Sequence, residues 1–363
     1  MRFALTAEQN DFAASLRKMA EAAKTPGIVR AWGTGDYAAG RALIGQLAEA
    51  GALGLTITEE NGGFGAGPVE LIVACTEIGR AAVPGPLVET AAAIPALLQA
   101  LPDSTLAARY LPVLAEGAKL ATLALTASGG ANAGRAAAPE SPSGAAGSAA
   151  TAPGTATALD ADIADLVLIA EGDRIALATA GDLVKSVDAA RRLFTVTPGE
   201  ALAEGEGVSA AIDLAFDTAA LAAAAQLLGA GRALLDTSVD YVKQRQQFGT
   251  PIGRNQAIKH HLANAHIALE MAQPLLYRAA LTLESNADSV IRGRDISAAK
   301  LACGEAAYRT ARIALQVHGA IGYTAECDLS LWLTKVTALR SAWGTPTQHR
   351  ARIATALRAG NVA

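Results

Sequence analysis

Between about residues 218 and 247 the chain carries one long alanine- and leucine-rich run, which ends in Tyr241-Val242-Lys243-Gln244-Arg245-Gln246-Gln247-Phe248-Gly249-Thr250-Pro251-Ile252. Such a run is predicted to be helical, and Gly249 and Pro251 stop it before a second helix opens near Gln256. Long helices joined this shortly lie antiparallel, which points the C-terminal part of the chain toward a helical bundle. Arg245 and Phe248 are three apart and are predicted to share one face of the helix end. A guanidinium beside an aromatic ring suits a pyrophosphate next to a flat cofactor. A helix stop with a solvated Arg and a buried Phe accounts for the same residues.

Three blocks follow from the pattern, over 1–117, 118–210 and 211–363. The first is helical. Thr6 with Glu8 and Gln9 marks a helix start, and Gly62-Gly63-Phe64-Gly65 and Pro84-Gly85-Pro86 mark loops. The second block opens with an Ala/Gly/Ser/Pro-rich loop over 128–157 that has almost no large side chains. Residues 164–170 and 174–178 then read as two strands around the turn Glu171-Gly172-Asp173, with further extended segments near Val184 and Phe194. In the third block Ile258, Leu262, Ala265, Leu269, Ala272 and Leu276 form an apolar stripe, with Pro274 kinking it. A third helix is placed from about Asp295 to Gly319, and a fourth from about Asp328 with Leu329, Trp332, Val336 and Leu339 inward. The expected fold is α+β and multidomain: an N-terminal α-helical domain, a small middle β domain and a C-terminal four-helix bundle.

Hydrophobic residues make up 51% of the 363 and charged ones 18%, enough apolar side chain for two or three domains. The net charge of -4 argues against a nucleic-acid partner. Cys75, Cys303 and Cys327 lie far apart with no C-x-x-C pair, which indicates neither a metal site nor a disulfide framework. Met1-Arg2-Phe3-Ala4-Leu5 lacks the apolar core of a signal peptide. The most apolar runs are interrupted by Gly, Pro, Gln or Arg short of membrane-spanning length. The expectation is a soluble cytoplasmic protein with no membrane, nucleic-acid or metal partner.

The R-x-x-F-G-x-P-I run followed by Gln256 resembles the C-terminal helical domain of the acyl-CoA dehydrogenase family of flavoproteins. The order Gly51-Ala52-Leu53-Gly54-Leu55, then Glu59-Glu60-Asn61-Gly62-Gly63-Phe64-Gly65, then Pro84-Gly85-Pro86 is similar to that family's N-terminal domain. Gln316-Val317-His318-Gly319-Ala320-Ile321-Gly322-Tyr323-Thr324 looks like its Q-x-x-G-G-x-G-[YF] segment, with Ala320 in place of the second Gly. Taken alone, these residues also describe a Gly-capped helix and a tight turn. The resemblance covers essentially the whole chain. It implies FAD as cofactor, with Arg245, Phe248, Gln256 and Gln316 contacting the FAD of a neighbouring subunit, helped by Gly319, Ala320 and Thr345. His318 is expected to be a structural histidine.

The family's reaction takes the α-proton of an acyl-CoA thioester while flavin accepts a β-hydride, so a carboxylate must serve as base. By the resemblance that base precedes the Gly-Thr of an E-G-T segment, and here the segment reads Ala342-Trp343-Gly344-Thr345. Trp343 cannot take the proton. The family's alternative position, on the long helix, is Ala219, and Ala220 falls where an Arg often lies beside substrate. Asp217 is the nearest carboxylate, and its simplest role is N-cap of the long helix, with substitute base as a weaker possibility. In the middle block Leu125-Thr126-Ala127-Ser128-Gly129-Gly130-Ala131-Asn132 stands for the family's Y-T-E-P-x-A-G-S-D segment, and its W-I-T-N segment has no counterpart. Features that reach a neighbour's FAD are kept and those that build the chain's own site are degraded. The chain therefore resembles the base-lacking subunit of actinobacterial α2β2 acyl-CoA dehydrogenases that act on sterol side-chain thioesters. The partners so implied are a catalytic acyl-CoA dehydrogenase chain, an acyl-CoA substrate and an electron-transferring flavoprotein. A self-sufficient homo-oligomeric enzyme using Asp217, and a scaffold that keeps the fold without FAD, are the alternatives.

Overall fold

The computed structural model describes residues 4–126, 156–247, 249–324 and 326–360. Of the expected low-complexity loop only Ala156 and Thr157 fall within these residues, and Phe248 falls outside them.

The first helix starts where the sequence places it. Thr6 Oγ1 accepts from the Gln9 amide at 3.2 Å and Gln9 Oε1 accepts from the Thr6 amide at 3.0 Å, a capping box that opens α1 (Ala7–Ala22). Helices α2 (Thr25–Gly33), α3 (Ala38–Glu49) and α4 (Pro68–Arg80) follow. Beyond Pro84-Gly85-Pro86 the chain forms a π-turn, Glu89–Ala93, that runs directly into α5 (Ile94–Gln99), and α6 (Thr105–Ala115) closes the block. Thr90 of the π-turn ties the block to the sheet: its Oγ1 donates to the Ala121 carbonyl at 3.0 Å and accepts from the Ala121 amide at 3.1 Å.

The sheet contains β1 (Ala121–Leu125), β2 (Thr157–Leu159), β3 (Leu166–Glu171), β4 (Arg174–Val184) and β5 (Leu193–Glu204), in the order β1-β3-β4-β5-β2. The β1–β3 pair is parallel, with Ala121 opposite Leu166, and the other pairs are antiparallel. β1 and β2, at opposite ends of the order, lie against one another, so the sheet curls toward a barrel. Ala124, Ala158, Ile169, Ala176, Phe194 and Val196 fill its interior.

The long helix α7 (Val208–Gln244) starts ten residues before the expected point. Val208, Ala211, Ile212 and Ala215 are buried at helical spacing and carry it back to Gly207. Asp217 is therefore inside the helix and is not its N-cap. The helix also ends sooner: Arg245 is already extended, and β6 (Gln246–Gln247) pairs with β7 (Thr250–Pro251) around Gly249, whose φ is 78°. A hairpin thus replaces the helical turn expected at Arg245, and the expected pairing of Arg245 with Phe248 lies outside the described residues. α8 (Gln256–Glu284) contains Pro274, and α9 (Ser289–His318) starts at Asp288, whose side chain accepts from the Val290 amide at 2.8 Å. Asp295, expected at the start of that helix, lies in its second turn. α10 (Leu329–Ser341) and α11 (Pro346–Gly360) complete the chain. α7 to α10 form the bundle, and α11 packs on α9.

α7 is long and apolar enough to cross a membrane, with a best window of mean hydropathy 1.5, but 72% of that window is buried inside the protein. It is the central strut of the fold. α4 crosses it so closely that a Cβ on Gly229 would lie 1.8 Å from the Thr76 carbonyl oxygen, and one on Gly79 would lie 2.1 Å from that of Gln226. One large core runs from α4 and the π-turn through β1 and β3 to α7, α8, α9 and α10.

Candidate functional site

The residues singled out in the sequence separate into two groups. The first lies at the C-terminal end of α7. Tyr241, one turn before Arg245, stacks on His318 at the end of α9 with ring centroids 4.2 Å apart, and its hydroxyl donates to the His318 carbonyl at 3.4 Å. That contact brings Arg245 to the same end of the bundle as Gln316, Gly319 and Ala320, and the hairpin delivers Gln256 there as the first residue of α8. All five are exposed. Gly319 has a φ of 63° and nothing within 4 Å of a built Cβ, so its backbone is open to an approaching group. His318 is buried, with Nδ1 2.8 Å from the Ala314 carbonyl, and burial lowers its pKa. It is a structural residue.

The second group surrounds Trp343. Trp343 and Gly344 are both left-handed, with φ of 55° and 102°, an uncommon conformation for a bulky residue. His349, in the first turn of α11, has Nε2 3.0 Å from the Trp343 carbonyl and Nδ1 3.1 Å from Ser297 Oγ. A carbonyl only accepts, so His349 is the Nε2–H tautomer and Ser297 donates to Nδ1. Burial, with Lys300 nearby, pushes the His349 pKa down to about 3, which keeps the ring neutral. Arg352 continues the chain of bonds, donating to Ser297 Oγ at 3.2 Å and to Asp217 Oδ1 at 2.7 Å. Arg292 donates to the other Asp217 oxygen at 2.8 Å. Asp217 is only 1% exposed, so both its oxygens are committed to anchoring α9 and α11 onto α7. Thr345 caps α11, exchanging bonds of 2.8 and 3.2 Å with Gln348.

A second carboxyl, Glu89 of the π-turn, carries no signal in the sequence pattern. The Trp343 indole donates from Nε1 to Glu89 Oε1 at 3.1 Å, and Phe216 packs edge-on against the same indole with centroids 6.4 Å apart. Glu89 is 3% exposed and its Oε2 has no hydrogen-bond partner among the described residues. Burial raises its pKa, partly opposed by Arg191. Glu89 belongs to a buried cluster of charges where the N-terminal helices, the sheet and α10 meet. Asp160 accepts from Trp32 Nε1 at 3.2 Å, and burial pushes its pKa up to about 7. Lys335 of α10 donates to the Val83 carbonyl at 2.8 Å, close enough to Asp188 and Glu89 to feel both charges. In the sequence Glu89 is only a lone acidic residue in the apolar run Leu87-Val88-Glu89-Thr90-Ala91-Ala92-Ala93-Ile94.

Comparison with known proteins gives the family of the chain. Residues 6–118 match the acyl-CoA dehydrogenase N-terminal domain, and residues 205–358 match the acyl-CoA dehydrogenase C-terminal domain. The chain is 30% identical over 310 residues to the acyl-CoA dehydrogenase IpdE2 of Mycolicibacterium smegmatis, covering 84% of each. This chain belongs to the acyl-CoA dehydrogenase family. It is also 32% identical over 329 residues to the acyl-CoA dehydrogenase FadE34 of Mycobacterium tuberculosis, matching 90% of this chain but 43% of that protein. In fold it is similar to the butyryl-CoA dehydrogenase of Megasphaera elsdenii, with a TM-score of 0.81 at 23% identity over 99% of this chain and 100% of that one. It is similar too to a chain of the ChsE4-ChsE5 complex from Mycobacterium tuberculosis, with a TM-score of 0.79 at 21% identity over 99% of each.

Within an acyl-CoA dehydrogenase the spacing of the two groups matters. From Ala219 to Arg245 at its C-terminal end, α7 spans about 39 Å at 1.5 Å per residue. The exposed bundle end and the Trp343 region therefore lie far apart on one copy of the chain. Neither of the two positions expected from the sequence to hold a base, Trp343 and Ala219, carries a carboxylate. Trp343 is half-buried, and Ala219 and Ala220 are 0% exposed.

Proposed function

We propose that this chain is the base-lacking subunit of a heteromeric acyl-CoA dehydrogenase, and that it completes the FAD site of a catalytic partner chain. The observation that carries this reading is the pairing, in one molecule, of an exposed, unspent cofactor end with a packed base position where Trp343 stands in place of a carboxylate. Arg245 has an exposed, unpaired side chain among the described residues and supplies positive charge for a diphosphate. Gln256 and Gln316 supply exposed amides, and the open backbone at Gly319 and Ala320 admits close approach. FAD, when bound, supplies the hydride acceptor. The proton of the acyl-CoA thioester goes to a carboxylate of the partner chain, since this chain presents none at either base position.

Two relatives support the pairing. The ChsE4-ChsE5 structure is a complex of two differently named chains, and the same fold is found in it. FadE34 is more than twice as long as the segment this chain matches, which leaves room for a second unit of the same size in one polypeptide. An α2β2 heterotetramer, a sterol side-chain thioester as substrate, an electron-transferring flavoprotein as acceptor and a cytoplasmic location complete the proposal. Asp217 gives the self-sufficient alternative little support, because two guanidinium groups already occupy its oxygens.

The test is Arg245→Ala in this chain, co-purified with its catalytic partner. Flavin content is expected to fall several-fold at unchanged complex mass. Full flavin content in that variant would contradict the proposal.

A further inference from the structure

We infer that the Trp343 indole, fixed by its hydrogen bond to Glu89, plugs this chain's own thioester cavity. The inference rests on the proposed function, in that Trp343 is taken to stand at a vacated base position. Simple loss of a base would leave a small residue and an open cavity. Here the largest side chain has taken the position, and a second domain supplies an acceptor for its N–H at 3.1 Å.

The surroundings are built for that contact. Phe216 of α7 covers the indole edge-on, and His349 holds the carbonyl of the same residue. A Cβ on Gly344 would lie 2.5 Å from His349 Nε2, so the left-handed turn that aims Trp343 inward depends on glycine there. Ala219 and Ala220, beside which a thioester would have to pass, have no exposed surface. Glu89 sits in a π-turn, a widened helix turn frequent at functional sites. Its Oε2 is buried without a partner among the described residues, an arrangement that disfavours the fold unless the group has a task. The bond to Trp343 joins the N-terminal helices to the C-terminal bundle. Glu89 is thus a positioning residue for the plug.

The test uses this chain co-purified with its catalytic partner and counts the unreactive thioether S-octyl-CoA bound per pair of chains, by equilibrium dialysis. Wild type is expected to bind one, and Trp343→Ala two. Glu89→Leu is expected to add a second, weaker site and to shift the Trp343 indole N–H resonance. Glu89→Gln, whose amide oxygen still accepts the indole proton, keeps both the count and the resonance. Trp343→Leu serves if the alanine variant does not fold. Two ligands per pair in wild type, or no added site in any Trp343 variant, would overturn the inference. So would loss of turnover in Glu89→Gln at an unchanged ligand count, since Glu89 would then be a proton acceptor. Absence of flavin from every complex would sink the proposed function while leaving the ligand count readable.

Discussion

Asp217 is 1% exposed between Arg292 and Arg352, which are 16% and 10% exposed. Removing its charge leaves two partly buried cations without their counter-ion, and breaking a buried pair this way costs about 3–5 kcal/mol. Urea unfolding of Asp217→Ala should show a loss of that order, and a loss below ~1 kcal/mol would show the pair to be solvent-screened. The sequence offered Asp217 as a cap because a carboxylate before an alanine run is a common helix start. Its true partners are 75 and 135 residues away, out of reach of local pattern. Asp160 gives a pH-dependent counterpart. Its pKa is about 7 in the fold against an ordinary 3.8, so the folded state binds the extra proton between those values and loses stability as pH rises through 7. Asp160→Asn keeps an acceptor for Trp32 and suits the left-handed backbone, φ 50°. Its melting temperature should exceed wild type at pH 8 by several degrees, with the margin shrinking toward pH 5. A margin that does not change with pH would show that Asp160 is ionised throughout.

The crossing of α4 and α7 is the tightest joint between elements. Gly229→Ala puts a methyl group into the Thr76 carbonyl, so the helices must separate. A loss of about 3 kcal/mol is expected, at the upper end for overpacking, and an unchanged thermal midpoint would show that the helices part freely. Element by element, the sequence was most legible where local chemistry decides. The Thr6–Gln9 box and the turn at Glu171-Gly172-Asp173 stand where they were placed. It was least legible where a neighbour decides. The long β4–β5 pair carries exposed polar residues and three register shifts, and each strand is held by the other. The π-turn and the short hairpin after α7 have no periodicity to read, since one spans five residues and the other pairs only two on each side.

At the scale of the whole molecule, family and fold were legible because glycines, prolines and capping residues recur in order along the chain. The candidate site was half legible. Arg245, Gln256 and Gln316 emerge together at one end of the bundle, exposed. The Trp343–Glu89 contact joins residues 254 apart in sequence and was invisible to any local pattern. The exposed end of the bundle and the Trp343 region lie about 39 Å apart along α7, and the proposed function assigns them to different sites of an assembly of unlike chains. The direct measurement is flavin absorbance per subunit, with mass by light scattering, for this chain alone and with its catalytic partner. Flavin only in the mixed complex, at about one per pair of chains, is the expected result. Stoichiometric flavin on this chain alone, with turnover of an acyl-CoA, would contradict the account.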